Sequence, residues 1–414
     1  MKTCTTPIQG LTGSRIALMA STSEVPSGRT NPDIVELSIA VVSGLALALT
    51  ALFICSAPLS GQISGARDFV SYWATGQQLV HHASPYDPAA MMQIERAALL
   101  PPEYGVIYMR NPPWALPLVW PLGLIGMKIG TLLWSLTLLA CLLGSVWTIW
   151  RLHGRPKNYL HWLGLSFAPA LICLIAGQTA LFALLGLVLF LRLHRTRPFL
   201  AGMALWLCAL KPHLFVPFGL VLVVWIVVSK SYRILAGAGV ALAASCGAAY
   251  CMFPNAWAEY PRMLRSSGIE MQFIPCLSIV LRLLLSPHSA WLQYVPVSLA
   301  CIWALAYFWP RRNTWDWGEN GSPLMLVSLF LAPYCWLFDQ ALAIPALLHG
   351  VYVTKSKAWL AVLAFASVLL VFEAGSGLKL PSAYHLWTAP AWLAWYLVAR
   401  ATGNKPQALQ SPAQ

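Results

Sequence analysis

The long polar stretch of residues 68–113 carries a carboxylate and aromatic side chains that could take part in acid–base chemistry. Asp68 follows the first apolar run, and the aromatic residues Tyr72 and Trp73 come directly after it. A carboxylate held beside aromatic faces near a membrane surface can act as a general base toward a sugar hydroxyl. Its position alone is equally well explained as the cap of a helix that starts at Phe69.

A second candidate is a lysine inside an apolar stretch. Lys211 stands between Leu210 and Pro212. A lysine at membrane depth is costly unless it meets an anion, and a lipid-linked phosphate is such an anion. The alternative is a side chain that reaches out to the headgroups. His213 could assist Lys211 or serve only as a structural hydrogen-bonding group, and Arg110 is a second cation that could reach a phosphate.

A second carboxylate lies at a sharp corner between apolar runs. Asp339 could orient a sugar hydroxyl, pair with Lys211 or an arginine, or cap the next helix. If Asp339 approached Asp68, the two could hold a divalent metal. The sequence has no P-loop, no HExxH motif and no Cys/His cluster with metal-ligand spacing. We therefore expect no cofactor, with a divalent metal left open.

The composition defines the elements that must position these residues. Of 414 residues, 58% are hydrophobic and 9% are charged, whereas a soluble domain has roughly 25% charged residues. This composition predicts an all-α integral membrane protein. The net charge of +13 comes from short basic clusters between apolar runs, which indicates cytoplasmic loops and not nucleic-acid binding.

The apolar runs and basic clusters together predict about twelve membrane spans over residues 34–400. Residues 1–33 are expected to be a disordered cytoplasmic tail, and residues 401–414 a second cytoplasmic tail. The first extracytoplasmic loop, 60–127, is expected to be partly helical and to carry the active site. Residues 254–290 form the second outer segment.

Proline and corner positions refine this arrangement. Residues 112–127 contain four prolines, so an interfacial or re-entrant segment is favoured over a crossing helix. The corners at Gly177-Gln178 and at Lys211-Pro212 are both predicted on the same side as Asp68. The short arm before Lys211 indicates that its corner lies below the outer surface.

These motifs, in this order, resemble glycosyltransferase family 87, a family of C-type (GT-C) membrane glycosyltransferases. The resemblance covers roughly residues 60–350. It is carried by Asp68-Phe69 with Tyr72-Trp73, Pro85-Tyr86-Asp87, Asn111-Pro112-Pro113, Gly177-Gln178, Ala201-Gly202, Lys211-Pro212 and Phe338-Asp339.

The resemblance implies an enzyme that takes a sugar, mannose in characterised members, from a polyprenyl-phosphate carrier. It implies transfer with inversion to a glycan or glycolipid acceptor on the extracytoplasmic side of a bacterial inner membrane. By the same resemblance, Asp68 deprotonates the acceptor hydroxyl and Lys211 holds the departing phosphate. Gln178 and Asp339 match polar corners that face the same cavity.

Two other functions remain open at this point. A transporter or flippase of a lipid-linked saccharide would also need aromatic and cationic groups facing a cavity, but at the midplane and reachable from both sides. Here the candidate polar residues gather on one face, which favours an enzyme. A catalytically inactive scaffold is the third possibility, and Asp68 argues against it.

Overall fold

A computed structural model describes residues 34–59, 67–98, 100, 105–268, 272–376 and 381–403. Within these ranges every regular element is helical and no strand occurs, which confirms the all-α prediction. The predicted tail 1–33 and most of the predicted tail 401–414 lie outside the described residues.

The N-terminal half forms the first membrane hairpins and the helical part of the first loop. Its α-helices are α1 (Ile34–Leu59), α2 (Arg67–Val80), α3 (Pro88–Ala97), α4 (Leu116–Val119), α5 (Met127–Leu152), α6 (Trp162–Leu165), α7 (Ala168–Ala176), α8 (Ala180–Leu193), α9 (Pro198–Cys208) and α10 (Val216–Val228).

The C-terminal half contains the helices of the segment 254–290 and the remaining apolar helices. These are α11 (Tyr232–Met252), α12 (Ala256–Ser266), α13 (Leu277–Leu285), α14 (Val295–Phe308), α15 (Trp317–Phe330), α16 (Ile344–Val353), α17 (Lys357–Gly375) and α18 (Thr388–Ala401). Short 3-10 turns extend several of them, including Pro212–Phe215 before α10 and Leu337–Ala343 before α16.

Five helical stretches of the described chain are long and apolar enough to cross a membrane: Ile34–Ser56, Met127–Leu152, Tyr232–Met252, Ala290–Arg311 and Lys357–Ala374. Five shorter apolar stretches lie between them, including Ala180–Leu193 and Pro198–Cys208. The chain is therefore a helical membrane protein, while the count of about twelve spans stays a prediction.

The proline-rich segment 112–127 forms a string of short turns. Pro113–Ala115, α4 and Trp120–Leu124 are each too short to cross a bilayer. The segment packs against α2 so closely that a Cβ at Gly123 would lie 2.1 Å from the carbonyl oxygen of Gly76. Gln77 donates from Nε2 to the Gly123 carbonyl at 2.8 Å, so the segment is fastened to the helix that carries Asp68.

Two glycines allow α9 and α11 to approach each other equally closely. A Cβ at Gly202 would lie 2.0 Å from the Ile234 carbonyl oxygen on α11, and one at Gly237 would lie 2.0 Å from the Phe199 oxygen. Close backbone approach of this kind is the usual means of helix association in membranes. It fixes α9, and with α9 the corner at Lys211.

Candidate active site

Three chain corners meet the first loop around a cavity of about 670 Å³. The corners are Gly177-Gln178, Lys211-Pro212 and Phe338-Asp339, and the loop contributes α2 and residues 105–112. Seven of the predicted site residues line this cavity: Asp68, Tyr72, Arg110, Gln178, Lys211, His213 and Asp339.

Trp73 is the predicted site residue that the structure does not bring to the cavity. Its Nε1 donates to the carbonyl oxygen of Ile125 at 2.9 Å, and its ring lies against Gly130. Successive residues of a helix point in different directions, and on α2 Ser71 and Tyr72 line the cavity while Trp73 points toward α5. Trp73 instead ties α2 to the start of α5.

The Gly177-Gln178 corner places an amide beside Asp68. Helix α7 ends at Gly177, whose φ of 73° lies in the left-handed region that glycine adopts without strain. A Cβ at Gly177 would lie 3.0 Å from the Cβ of Phe69, and Trp134 Nε1 donates to the Gly177 carbonyl at 2.8 Å. Glycine is therefore required both by the turn and by the close approach of α2.

The side chain of Gln178 forms hydrogen bonds with Asp68, Tyr72 and Lys211 on the cavity wall. Its Nε2 donates to Asp68 Oδ2 at 2.8 Å. Its Oε1 accepts from Tyr72 at 3.1 Å and from Lys211 Nζ at 2.9 Å. Burial, followed by the charge of Asp68, raises the pKa of Tyr72 well above its ordinary value, so this phenol stays protonated and donates.

Asp68 itself lies inside the first turn of α2, which begins at Arg67. The capping explanation places Asp68 just before the helix, and the structure does not show that arrangement. Its backbone carbonyl accepts from Ser71 Oγ at 2.8 Å, while its carboxylate faces the cavity. Asp68 thus lines the cavity, and its role as a base stays a prediction.

Lys211 is paired with Asp339 inside the protein. The distance between Lys211 Nζ and Asp339 Oδ1 is 2.6 Å, and the two side chains are only 9% and 1% exposed. Asp339 also accepts from the Trp336 backbone amide at 2.9 Å through Oδ2. The ion pair with Lys211, one of the explanations considered for Asp339, is thus present. Asp339 is not the N-cap, since Trp336 holds that position and Asp339 lies inside the 3-10 helix Leu337–Ala343, from which its carboxylate accepts from the Trp336 amide.

Arg110 is a cation on the cavity wall that has no carboxylate partner among the described residues. Its Nη1 donates to Gln272 Oε1 at 3.2 Å, and its buried Nε has no hydrogen-bond partner. Burial lowers the pKa of Arg110, and the nearby Tyr334 and Asp68 act in the opposite direction. An arginine remains charged under such conditions, so this cation is available to an anion in the cavity.

Aromatic side chains complete the cavity wall. The His213 ring stacks on Tyr334 with centroids 3.8 Å apart, and Trp336 stacks on Phe338 at 6.1 Å. Sequence reasoning did not select Tyr334, Trp336 or Phe338, although all three lie in one aromatic-rich stretch just before Asp339. That stretch was the available signal.

Glu95 is a further residue that sequence reasoning missed. It is 1% exposed, and its two carboxylate oxygens accept from the Ile107 backbone amide at 3.2 and 3.1 Å. Burial raises the pKa of Glu95 to about 7. The side chain fastens α3 to the cavity-lining segment 105–112.

The carboxylates of the site do not form a metal-binding cluster. Within the described part of the chain, no group of three or more His, Cys, Asp or Glu side chains is arranged to hold a metal ion. Asp68 and Asp339 are connected through Gln178 and Lys211. The expectation that the protein needs no cofactor stays a prediction.

Comparison with known proteins supports the resemblance. The model of glycosyltransferase family 87 matches residues 108–333, more than half of the chain. The match includes Arg110, Gln178, Lys211 and His213, whereas Asp68 and Asp339 lie outside it. No curated protein and no solved structure shows significant similarity to the chain. The chain belongs to glycosyltransferase family 87 and is a membrane glycosyltransferase.

Proposed function

We propose that the protein moves a sugar, mannose or another hexose, from a polyprenyl-phosphate carrier to a glycan or glycolipid acceptor. One observation supports this most strongly. A carboxylate, Asp68, and a cation, Arg110, line the same cavity, and Arg110 has no carboxylate partner in the part of the chain that the structure describes. Transfer from a lipid phosphate needs a base for the acceptor and a positive charge for the leaving group.

The reaction is a single displacement with inversion at the anomeric carbon. Asp68 takes the proton of the acceptor hydroxyl as the acceptor oxygen attacks C1 of the sugar. The bond between C1 and the phosphate oxygen breaks, and its electron pair leaves with the polyprenyl phosphate. Gln178 holds Asp68 Oδ2 at 2.8 Å and thereby fixes the plane of the carboxylate before the acceptor arrives.

The two cations contribute differently to phosphate binding. The distance between Lys211 Nζ and Asp339 Oδ1 is 2.6 Å, so Asp339 already neutralises the charge of Lys211. Lys211 therefore attracts a phosphate less strongly than the sequence alone predicted. The described residues give Arg110 no such carboxylate, and a guanidinium can bind phosphate through two parallel hydrogen bonds. We therefore assign the main contact with the donor phosphate to Arg110, with Lys211 in a supporting role.

The proposed location is the extracytoplasmic face of a bacterial inner membrane, with both termini cytoplasmic and about twelve spans. The basic clusters between apolar runs support this orientation. The Lys230 and Arg233 pair lies at the end of α10 that is remote from Lys211. Arg192 and Arg195 likewise lie at the end of α8 opposite Gln178.

The test is sugar transfer by the purified protein from radiolabelled polyprenyl-phosphate mannose, measured alongside donor binding. We expect wild-type protein to transfer the sugar and Asp68→Asn to bind donor with transfer reduced about 10³-fold or more. Asp87→Asn makes the same change at an exposed carboxylate that caps α3 and does not line the cavity, so it is the matched control and should keep most of the activity. If wild-type protein binds donor, transfers to no acceptor and moves the lipid between leaflets, a flippase is indicated instead.

A further inference from the structure

The orientation of the Gln178 amide is fixed by its partners. Lys211 can only donate, and protonated Tyr72 donates as well, so the amide oxygen must face both of them. The carboxylate of Asp68 can only accept, so the amide nitrogen must face Asp68. The distances of 2.9, 3.1 and 2.8 Å agree with this single arrangement.

This arrangement separates two charges of opposite sign. Lys211 Nζ and Asp68 Oδ2 bind opposite ends of the same amide group. A lysine ammonium within direct reach of a carboxylate would form an ion pair with it. A carboxylate in such a pair is a weaker base and has fewer lone pairs for an incoming hydroxyl.

We propose that Gln178 is a positioning residue that keeps Lys211 directed to Asp339 and away from the base Asp68. The proposal rests on the function proposed above, because it assigns Asp68 the role of base. Gln178 thus acts through Asp68 and need not touch the substrate. Among the described side chains, the titratable and charged groups near Asp68 include Tyr72 on its own helix, Lys211 and Asp339 at the two corners, and Arg110 on the loop.

The test uses two substitutions of Gln178, by Glu and by Met, whose side chains are similar in length to glutamine. Gln178→Glu gives Lys211 a carboxylate partner and places a negative charge against Asp68. We expect donor affinity within about 3-fold of wild type, a lower kcat, and an acid limb of the pH–rate profile moved up by about one pH unit or more. Gln93→Glu adds the same charge at an exposed position of α3 and should leave the pH–rate profile unchanged.

Gln178→Met removes both polar ends of the side chain and gives a readout without catalysis. In a structure of this variant we expect Lys211 Nζ within 4 Å of the Asp68 carboxylate. If Lys211 keeps its position on Asp339 and stays clear of Asp68, the proposal is wrong. It is also wrong if Gln178→Glu leaves the pH–rate profile unchanged or loses donor affinity without loss of kcat, because Gln178 is then a substrate ligand.

Failure of the proposed function gives a different result. In that case wild-type protein itself shows no transfer, and no variant can be compared by rate. The structure of Gln178→Met still decides whether Gln178 separates Lys211 from Asp68.

Discussion

Removing one partner of the Lys211–Asp339 pair should destabilise the protein strongly. At the observed distance of 2.6 Å, the Coulomb attraction between the two charges is about 6 kcal/mol at an effective dielectric constant of about 20. The desolvation of both groups opposes this attraction. Loss of one partner leaves the other charge buried. We therefore expect Asp339→Asn and Lys211→Met each to cost about 3–5 kcal/mol of unfolding free energy.

The double variant Lys211→Met with Asp339→Asn should recover much of that loss. Methionine fills the volume of the lysine stem, and the asparagine oxygen can still accept from the Trp336 amide, which binds Asp339 at 2.9 Å in the wild type. We expect the double variant to lie within about 2 kcal/mol of wild type. The interaction energy from the cycle is then about 4 kcal/mol or more.

The measurement is unfolding of the four proteins in mixed detergent micelles. Arg195 and Asp316 provide the matched control, because they also form an ion pair but their side chains are 61% and 28% exposed. Arg195→Met with Asp316→Asn should give an interaction energy of about 1 kcal/mol or less. If the Lys211 and Asp339 costs simply add to within about 0.5 kcal/mol, the two charges are not coupled and the reasoning fails.

Three further predictions concern the loop and its supports. Arg110→Gln should weaken donor binding about 10- to 100-fold, the value of one charge-assisted hydrogen bond to the phosphate, as measured by equilibrium binding of labelled donor. Glu95 should contribute a loss of stability as pH rises from about 4.5 to about 7, because buried Glu95 keeps its proton in the folded state after the unfolded chain has lost it. The loss is at most about 3 kcal/mol, and Glu95→Gln should remove it in unfolding measurements across that pH range. Gly123→Ala should cost about 3 kcal/mol or more, because its Cβ would lie 2.1 Å from the Gly76 oxygen. Gly126→Ala, where the new Cβ meets nothing within 4 Å, is the control and should be nearly neutral.

Each of these predictions has a clear contrary result. Unchanged donor affinity in Arg110→Gln would move the phosphate site away from Arg110. A stability profile of Glu95→Gln that follows wild type across the same pH range would assign the dependence to other groups. Equal unfolding free energies for the Gly123 and Gly126 variants would show that α2 and the proline-rich segment do not pack as closely as the structure shows.

The helices could be predicted from the sequence because their signal is local. Apolar runs bounded by basic clusters or prolines became helices, such as Met127–Leu152 within the predicted membrane domain 34–400. The break in 112–127 followed from four prolines, which lack the amide hydrogen that a helix needs. Crossing helices could not be counted in this way, since several apolar helices are shorter than a bilayer is thick.

The residue types of the site could be predicted, whereas its pairs could be given only as alternatives, among them Lys211 with Asp339. Lys211 and Asp339 stand out as charged residues between apolar runs, and Asp68 as a carboxylate beside aromatic residues in a polar loop. Which of them pair depends on contacts across 110 residues for Gln178 with Asp68 and across 128 residues for Lys211 with Asp339. Those contacts are set by the left-handed turn at Gly177 and by the packing of α9, neither of which is encoded within a single motif.

The internal pairing of Lys211 also bears on how such a site can work within a membrane. An unpaired lysine at this depth would carry the full cost of desolvation whenever the cavity was empty. Asp339 offsets that cost in the resting enzyme, and Gln178 directs Lys211 toward it. If the proposed donor phosphate binds beside Arg110, Lys211 is a second cation that is already oriented, so the cavity wall need not reorganise. In such a cavity Arg110 is available to the substrate, and Lys211 is paired with Asp339 until substrate binds. The protein can then be stable without substrate and still stabilise negative charge during transfer.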